Sequence, residues 1–397
     1  MNRMKIAYVL ISTLRQGGAT KSFLTLLKGA VEAGIQPLVV VPNKDGTYHD
    51  LLAMGVEVLV LDYRPAVYPW LKNFVDYLKF IPRLIGRIMV NRKAVRLLTT
   101  SLKEHGTDIV HTNVSVIDVG YRAAMKLGLP HIYHIREYGD KDFGMYYYPS
   151  KCIFLKHLQN SKCYSICITK GIQQHHSQQF CERSHVIYNG IFPSQSQKPS
   201  HNQGHYFLFA GRIEAAKGLD ILLQAYTAYT SLTPMPLPLY LAGEVFDKHL
   251  QKKIESDSYK NGTHDNIHFL GPRTDIEDLM RHAHAVVITS PFEAFGRCMP
   301  EAMSVGCLTI ARNSGGTLEQ LENGFLTVGE DIALRFDTAE QLSRQLLYAA
   351  QISETEYEHI TTKAWKTVNS LYCIDKYVQN VLAVYQEALN PSKTSNN

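Results

Sequence analysis

From one end to the other the chain alternates short apolar runs with longer helical patterns, and this rhythm limits what it can fold into. In the first half the runs are 5–12, 37–42, 56–62, 108–112, 131–135, 163–169 and 186–188. In the second half they are 206–211, 237–243, 267–271, 285–290, 308–311 and 325–328. Most are near-continuous rather than alternating, as parallel strands covered by helices on both faces require. Parallel neighbours need a crossover, so the stretches between the runs read as the helices of βα units. The series occurs twice. The fold class is therefore α/β, with two doubly wound, Rossmann-like parallel-sheet domains.

A chain of 397 residues gives each domain enough length for its own core. Residues 1–192 form the first domain and 205–373 the second. Between them 193–204, PSQSQKPSHNQG, has no aliphatic residue and reads as an interdomain linker. The helical stretch 374–390 is long enough to pack across both domains, and the polar tail 391–397 reads as disordered. Ligands of open parallel sheets sit beyond the carboxyl ends of the strands. Two such domains facing each other place the active site in a central cleft.

A formal net charge of +5 is too modest to indicate a nucleic-acid partner. The seven cysteines are an odd number without CxxC pairing, which points to a reducing, cytoplasmic setting. Cys163, Cys167, His175, His176 and Cys181 match no common zinc spacing, so buried thiols are expected there and no metal site. No secretory leader is expected, because the apolar run at 6–12 is short and reads as a first strand. No run of about 18 apolar residues suggests a spanning helix. The segment 70–96 departs from the pattern, with Lys72, Lys79, Arg83, Arg87, Arg92, Lys93 and Arg96 against the single acid Asp76. Apolar residues at spacings of three and four lie between these cations, as on an interfacial helix resting on anionic lipid, with a kink at Pro82. Such a helix would hold the protein on the inner face of the plasma membrane.

The chemistry is concentrated between Ser290 and Gly306. Gly296 permits a sharp turn out of the strand before it, and Pro300 is comfortable only in a first helical turn. The helix start therefore falls near Arg297–Met299, with Glu293 in the loop before it and Glu301 in its opening turn. Free backbone N–H groups at that start suit an anion, and the two carboxylates can accept from hydroxyls. A sugar diphosphate offers both. Upstream, the strand ending at Ala210 is followed by Gly211, Arg212, Lys217 and Gly218. An arginine fork and a lysine point charge at a strand end can neutralise a diphosphate. After the first strand, Gly17 and Gly18 make a glycine turn at a helix start, where backbone can approach a phosphate. The neighbouring Thr20-Lys21-Ser22 lacks the glycines of a P-loop, and GxGxxG is absent.

Gly211-Arg212 with Lys217-Gly218, and Glu293 eight residues before Glu301 with Phe295-Gly296 between them, resemble the retaining nucleotide-sugar glycosyltransferases of the GT-B fold, family 4 type. Gly17-Gly18 sits where that family places its glycine loop, and His134 in His-Ile-Arg-Glu137 where it places an active-site histidine. Asn189-Gly190, Gly315-Gly316 and Glu319 complete the series in order.

The resemblance implies that Arg212 and Lys217 hold the donor diphosphate, beside Gly211. It gives Glu301 the ribose hydroxyls, and Glu293 with the backbone of Phe295, Gly296 and Arg297 the transferred sugar. Gly18 would approach a phosphate beside Gly17, His134 would contact the sugar, and the backbone near Arg273 would meet the base. It implies a UDP- or GDP-linked donor, a glycan or lipid-linked acceptor, a retained anomeric configuration, no cofactor and no divalent metal. The setting implied is bacterial surface polysaccharide or glycan assembly. A sugar-nucleotide epimerase of the same fold would share the donor site but needs acid/base residues around the sugar. A non-catalytic nucleotide-sugar-binding membrane protein would have lost a phosphate reader, and none is missing.

Overall fold

A computed structural model describes residues 3–15, 17–69, 71, 74–200 and 204–391, without the side chains of Pro69, Tyr77, Asp142 and Phe143. Trp70 and Lys72 of the basic segment, 201–203 of the expected linker and 392–397 of the expected tail lie outside the described residues. The backbone divides into two compact units, Met1–Gly190 with Ile374–Asn397, and Ile191–Cys373.

The strands of the first unit are β1 (Lys5–Val9), β2 (Gln36–Val41), β3 (Glu57–Val60), β4 (Val67–Pro69), β5 (Ile109–Thr112), β6 (His131–Ile135), β7 (Met145–Tyr147), β8 (Cys163–Cys167) and β9 (Ser184–Val186). Seven of them form one parallel sheet in the order β3-β2-β1-β5-β6-β8-β9. β4 and β7 pair antiparallel as a separate ribbon that the sequence pattern does not announce. The second unit holds β10 (Phe207–Ala210), β11 (Leu239–Ala242), β12 (Ile267–Gly271), β13 (Ala285–Ile288), β14 (Leu308–Arg312) and β15 (Leu334–Phe336). They are parallel in the order β12-β11-β10-β13-β14-β15. This is the doubly wound order, which reverses between β10 and β13 and so opens a site at the carboxyl ends there.

Three expectations are corrected. The run 325–328 is not a strand but the end of the helix Gly315–Val328, which Gly329 closes in the left-handed conformation at φ +78°. The sixth strand is β15, whose three residues Leu-Arg-Phe are too few to stand out as an apolar run. The segment 193–204 is not a free linker, because it is strapped to the helix Glu354–Leu371. The Gln195 N–H donates to Asn369 Oδ1 at 2.9 Å, Trp365 Nε1 donates to Gln195 Oε1 at 2.9 Å, and Lys198 Nζ donates to Thr361 Oγ1 at 3.0 Å. The helix Ile374–Leu389, expected to lie across both domains, buries Tyr377, Val381, Val384 and Tyr385 in the core of the first unit. Its fit is close: a Cβ on Gly29 would stand 2.6 Å from a Val378 methyl.

That core also contains a chain of polar rings. Arg136 donates to Nδ1 of His134 at 3.3 Å, which makes this nitrogen an acceptor. His111 Nε2, 3.2 Å away, is then the donor to it, and Tyr385 Oη donates to His111 Nδ1 at 2.7 Å. His131 Nε2 meets Thr112 Oγ1 at 2.7 Å. Burial keeps these imidazoles neutral. It pushes His111 down to about 3, His176 to about 3 and His157 to about 4, and holds His131 and His134 well below the ordinary histidine value.

In the unfolded chain the same imidazoles take up a proton near pH 6.5, so below that pH the folded state binds fewer protons and loses stability. Fully buried His111 and His176 each withdraw about 1.4 kcal/mol per pH unit below about 6.5. Thermal unfolding followed by circular dichroism should therefore move to lower temperature from pH 7 to pH 5. A melting temperature that stays flat over that interval would contradict the buried, neutral histidines.

Candidate active site

At the carboxyl end of β10 the chain has to pass very near its neighbour. A Cβ on Gly243, just past β11, would stand 1.8 Å from the Gly211 carbonyl oxygen. The turn Ala215–Lys217 follows and ends at Gly218, which takes φ +69°. A Cβ there would stand 2.2 Å from the Thr289 carbonyl oxygen, so only glycine fits. Thr289 Oγ1 in turn donates to the Lys217 carbonyl at 2.9 Å. This fastens the turn that carries Lys217 to the end of β13. Lys217 Nζ then reaches Glu293 Oε1 at 2.6 Å, with each side chain only 21% exposed.

Glu293 lies in the loop after β13, and that loop is clamped from below. The Gly316 N–H donates to the Glu293 carbonyl at 2.7 Å. Cβ atoms on Gly315 or Gly316 would lie 2.7 to 2.8 Å from backbone atoms of residues 293–295. The buried Gln320 donates to the carbonyls of Phe295 and Gly296. Gly296 takes φ +80°, the turn the sequence calls for, and the helix Cys298–Ser304 starts within the expected window. Glu301 lies in its first turn, with Arg297 at its N-cap. Arg297 donates to Glu301 Oε1 from Nε at 3.1 Å and pairs with it at 3.0 Å through the guanidinium. Each carboxylate thus has one oxygen on a cation, while its Oε2 has no partner among the described residues. The Phe295 side chain is buried edge-on against Tyr372, so only its backbone is available to a ligand.

Arg212 is held separately. Its guanidinium pairs with Glu214 at 2.8 Å and lies 5.1 Å over the Phe246 ring. Neither expected phosphate reader is a bare cation, since each rests on its own carboxylate. An anionic phosphate can compete with each carboxylate for its cation, since guanidinium and ammonium groups bind either kind of oxyanion. Arg273, just beyond β12, is held by Asp275, with Nε donating at 2.8 Å, and the guanidinium beside it keeps that carboxyl below the usual carboxylate range.

In the first unit, Gly17 is the N-cap of the helix Gly18–Glu32 and supplies no side-chain cap to its first N–H groups. The neighbouring Gln16 lies outside the described residues. His134 is placed differently from expectation. It lies within β6, fully buried between His111 and Tyr377, and its Nε2 has no hydrogen-bond partner among the described residues. The residue at the carboxyl end of that strand is Arg136, also buried. Arg136 spans three elements by donating to Asn113 Oδ1 at 3.1 Å, Asn189 Oδ1 at 2.6 Å and Tyr377 Oη at 3.0 Å. Sequence reasoning missed this group, although an arginine directly after a strand and an asparagine before Gly190 were its visible signs. It also passed over Asp140-Lys-Asp142, a spelling associated with metal-dependent transferases. Asp140 is occupied by His175 at 2.8 Å and Lys151 at 3.4 Å. The described residues contain no group of three or more metal-capable side chains.

Residues 16–195 match the family model Glycosyltransferase Family 4, and residues 192–364 match Glycosyl transferases group 1. An uncharacterized glycosyltransferase of Methanocaldococcus jannaschii is 25% identical over 292 residues, which cover 72% of this chain and 77% of its own. A D-inositol 3-phosphate glycosyltransferase of Salinispora arenicola is 26% identical over 197 residues, 47% of this chain and 42% of its own. Among solved structures, a glycosyltransferase from Rickettsia africae superposes with a TM-score of 0.77 at 18% identity, covering 98% of this chain and 100% of its own. Anabaena HepE in complex with UDP superposes at 0.74 with 20% identity, covering 97% and 100%. The two parallel sheets, their strand order and these matches agree, and the chain belongs to the glycosyltransferases of the family 4 type with the GT-B fold.

Proposed function

We propose that the protein moves a sugar from a nucleotide-sugar donor to a glycan or lipid-linked acceptor, with retention at the anomeric carbon and without a divalent metal. The observation that carries this reading is the pair of glutamates, each with one oxygen on a cation and one oxygen open to a hydroxyl. Glu301, in the first helical turn, suits the ribose, and Glu293, in the loop, suits the transferred sugar. Solved relatives of the same fold support the donor class, since Anabaena HepE is seen with UDP and with UDP-glucose.

Breaking the sugar–phosphate bond builds negative charge on the leaving diphosphate and positive charge on the sugar ring. Lys217 and Arg212 exchange their carboxylates for that diphosphate, and cations already in place stabilise the developing charge. Freed from Lys217, Glu293 gains full acceptor strength beside the ring that becomes cationic. The leaving diphosphate can take the acceptor's proton on the face where the acceptor arrives, so the configuration is kept.

The same proposal places the enzyme on the cytoplasmic face of an anionic membrane, in surface polysaccharide or related glycan assembly. The helix Phe74–His105, which continues through Pro82, exposes Phe74, Leu78, Ile81, Ile85 and Met89, each between 52% and 75%. They recur at spacings of three and four, so they form one stripe. Lys79, Arg83, Lys93 and Arg96 have no carboxylate partner among the described residues. These cations would repel a second copy of the stripe and attract anionic lipid. No helix of the described residues is long and apolar enough to cross a membrane.

Lys217→Ala and Arg212→Ala should each lower kcat/KM for transfer at least about a hundredfold with the fold intact by circular dichroism, since each removes charge stabilisation of the leaving group. Glu293→Gln should lower transfer while leaving calorimetric UDP affinity within about twofold. Wild-type turnover in folded Lys217→Ala would sink the assignment. If protein cations replace the metal, transfer by the purified enzyme should survive excess EDTA. Activity lost on chelation and restored by Mg²⁺ or Mn²⁺ would show that a metal does the neutralising instead.

Liposome flotation tests the membrane placement. The protein should float with vesicles rich in phosphatidylglycerol, not with neutral ones, and should be partly released by salt. Replacing Lys79, Arg83, Lys93 and Arg96 with Gln removes about 4 kcal/mol of attraction at about 1 kcal/mol per cation. That variant should stay unbound. Equal flotation of variant and wild type would reduce the segment to a solvated helix face.

A further inference from the structure

The first unit contains a second polar site that the donor chemistry does not use. A cavity of about 320 Å³ lies between the helix Phe74–His105, the β4–β7 ribbon and the helix Lys151–Leu158. That volume is at the small end of ligand sites, which run from about 300 Å³ upward. Three arginines line it, Arg87, Arg92 and Arg122, with one acid, Asp118. Arg87 is half-buried, with its guanidinium 4.7 Å over the Tyr68 ring and NH1 donating to the Val67 carbonyl at 2.6 Å. Neither Arg87 nor Arg92 pairs with a carboxylate among the described residues, and Arg122 touches Asp118 only at 3.6 Å. Asp118 Oδ1 is buried and without a partner.

The rest of the wall is mixed: Leu84, Ile88, Ile153 and Phe154 form an apolar part, beside the polar Asn91, Ser115, Tyr147, Tyr148 and His157. Leu84 and Ile88 belong to the same helix as the exposed stripe and are its neighbours at three and four residues, so the apolar wall continues into Ile81 and Ile85. Three arginines against one carboxylate leave two net positive charges. A phosphate monoester carries about −1.5 to −2 at neutral pH and takes forked hydrogen bonds from guanidinium groups. Burial also pushes the Asp118 carboxyl above its ordinary value.

We infer that this cavity binds the phosphate-bearing end of a single-chain amphiphile, with Arg87, Arg92 and Arg122 on the phosphate and Leu84, Ile88 and Phe154 along the first carbons of the chain. Its identification as an acceptor site rests on the glycosyl-transfer reading; the binding itself does not. The ligand class is an alkyl or prenyl phosphate, whose remaining chain lies along the exposed stripe of the same helix.

Calorimetry on the full chain with farnesyl phosphate, below its micellar concentration and without any donor, tests this. Farnesyl phosphate should bind at least about tenfold more tightly than farnesol or inorganic phosphate, because only the first engages both parts of the wall. Arg92→Gln with Arg122→Gln should weaken it at least about tenfold, and Ile88→Trp, which fills the cavity, should do the same. Arg87 is left unchanged because its packing on Tyr68 also supports the ribbon. UDP affinity of the same preparations should be unaltered, which separates this site from the donor site on the second unit. Equal affinity for farnesol and farnesyl phosphate would overturn the inference. So would a double arginine variant of unchanged melting temperature that binds farnesyl phosphate like wild type.

Discussion

Glu293 is held at both its backbone and its carboxylate, and the donor side of the second unit depends on that. Gly316 takes its carbonyl, Gly315 leaves no room beside its amide, and Lys217 takes one carboxylate oxygen. A fully exposed ion pair contributes about 0–1 kcal/mol and leaves its side chains mobile. This pair, four-fifths covered and short, instead fixes where both charges stand before a donor arrives. Lys217 is fixed at its other end too, because Gly218 lets its backbone lie against Thr289 with no side chain between. Electrostatic preorganisation of this kind acts on a reaction only if the charges are in position before the bond breaks. The glycines at 218, 315 and 316 supply the close backbone contacts that allow it.

Much of this unit was legible in its sequence because the signals were local. Gly296 and Pro300 each restrict the backbone within a few residues, so turn, helix start and the positions of both glutamates could be read directly. The clamp beneath the loop could not be, since Gln320 and Gly316 are about twenty residues away and touch it only through the fold. The same limit explains the false strand at 325–328. Phe-Leu-Thr-Val has β propensity, but it is the last turn of a helix whose buried side is set earlier by Leu321 and Gly324, and Phe325 and Leu326 face solvent. The polar stretch 193–204 misled in the other direction. A segment without aliphatic residues cannot build a core, yet its amide and ammonium groups fasten it to a neighbouring helix.

In the first unit the strands of the parallel sheet were legible as apolar runs, while their order and the polar interior were not. Histidines inside apolar strands look interchangeable in sequence. In the structure Arg136 sets their direction: as a pure donor it makes His134 Nδ1 an acceptor, which makes His111 donate through Nε2 and accept from Tyr385. The series leaves one N–H over, at His134 Nε2. An orphaned buried donor costs about 1–3 kcal/mol, an expense that packing elsewhere must offset. Much of that packing comes from Ile374–Leu389, whose tyrosines close the hydrogen-bond series at one end and hold Arg136 at the other. The last helix of the chain therefore completes the polar interior of the first unit, which no local pattern in either segment could show.

The helix Phe74–His105 illustrates how far amphipathicity alone can be read. From Asn91 to Leu102 its buried positions are Asn91, Ala94, Val95, Leu98 and Leu102, one ordinary core-facing side. From Phe74 to Met89 the apolar residues spread much wider. Leu84 and Ile88 turn toward the cavity, while Phe74, Leu78, Ile81, Ile85 and Met89 remain in water. A surface helix needs only one apolar face to pack on its own unit. The surplus along the first four turns is thus not explained by folding. Leaving five large apolar side chains exposed forgoes about 1.5–3 kcal/mol each relative to burial, a gain open to whatever surface covers them. The cations beside the stripe discriminate among candidates: an apolar protein face or a second copy would have to desolvate them, whereas the anionic lipid surface proposed above would cover the stripe and neutralise them together.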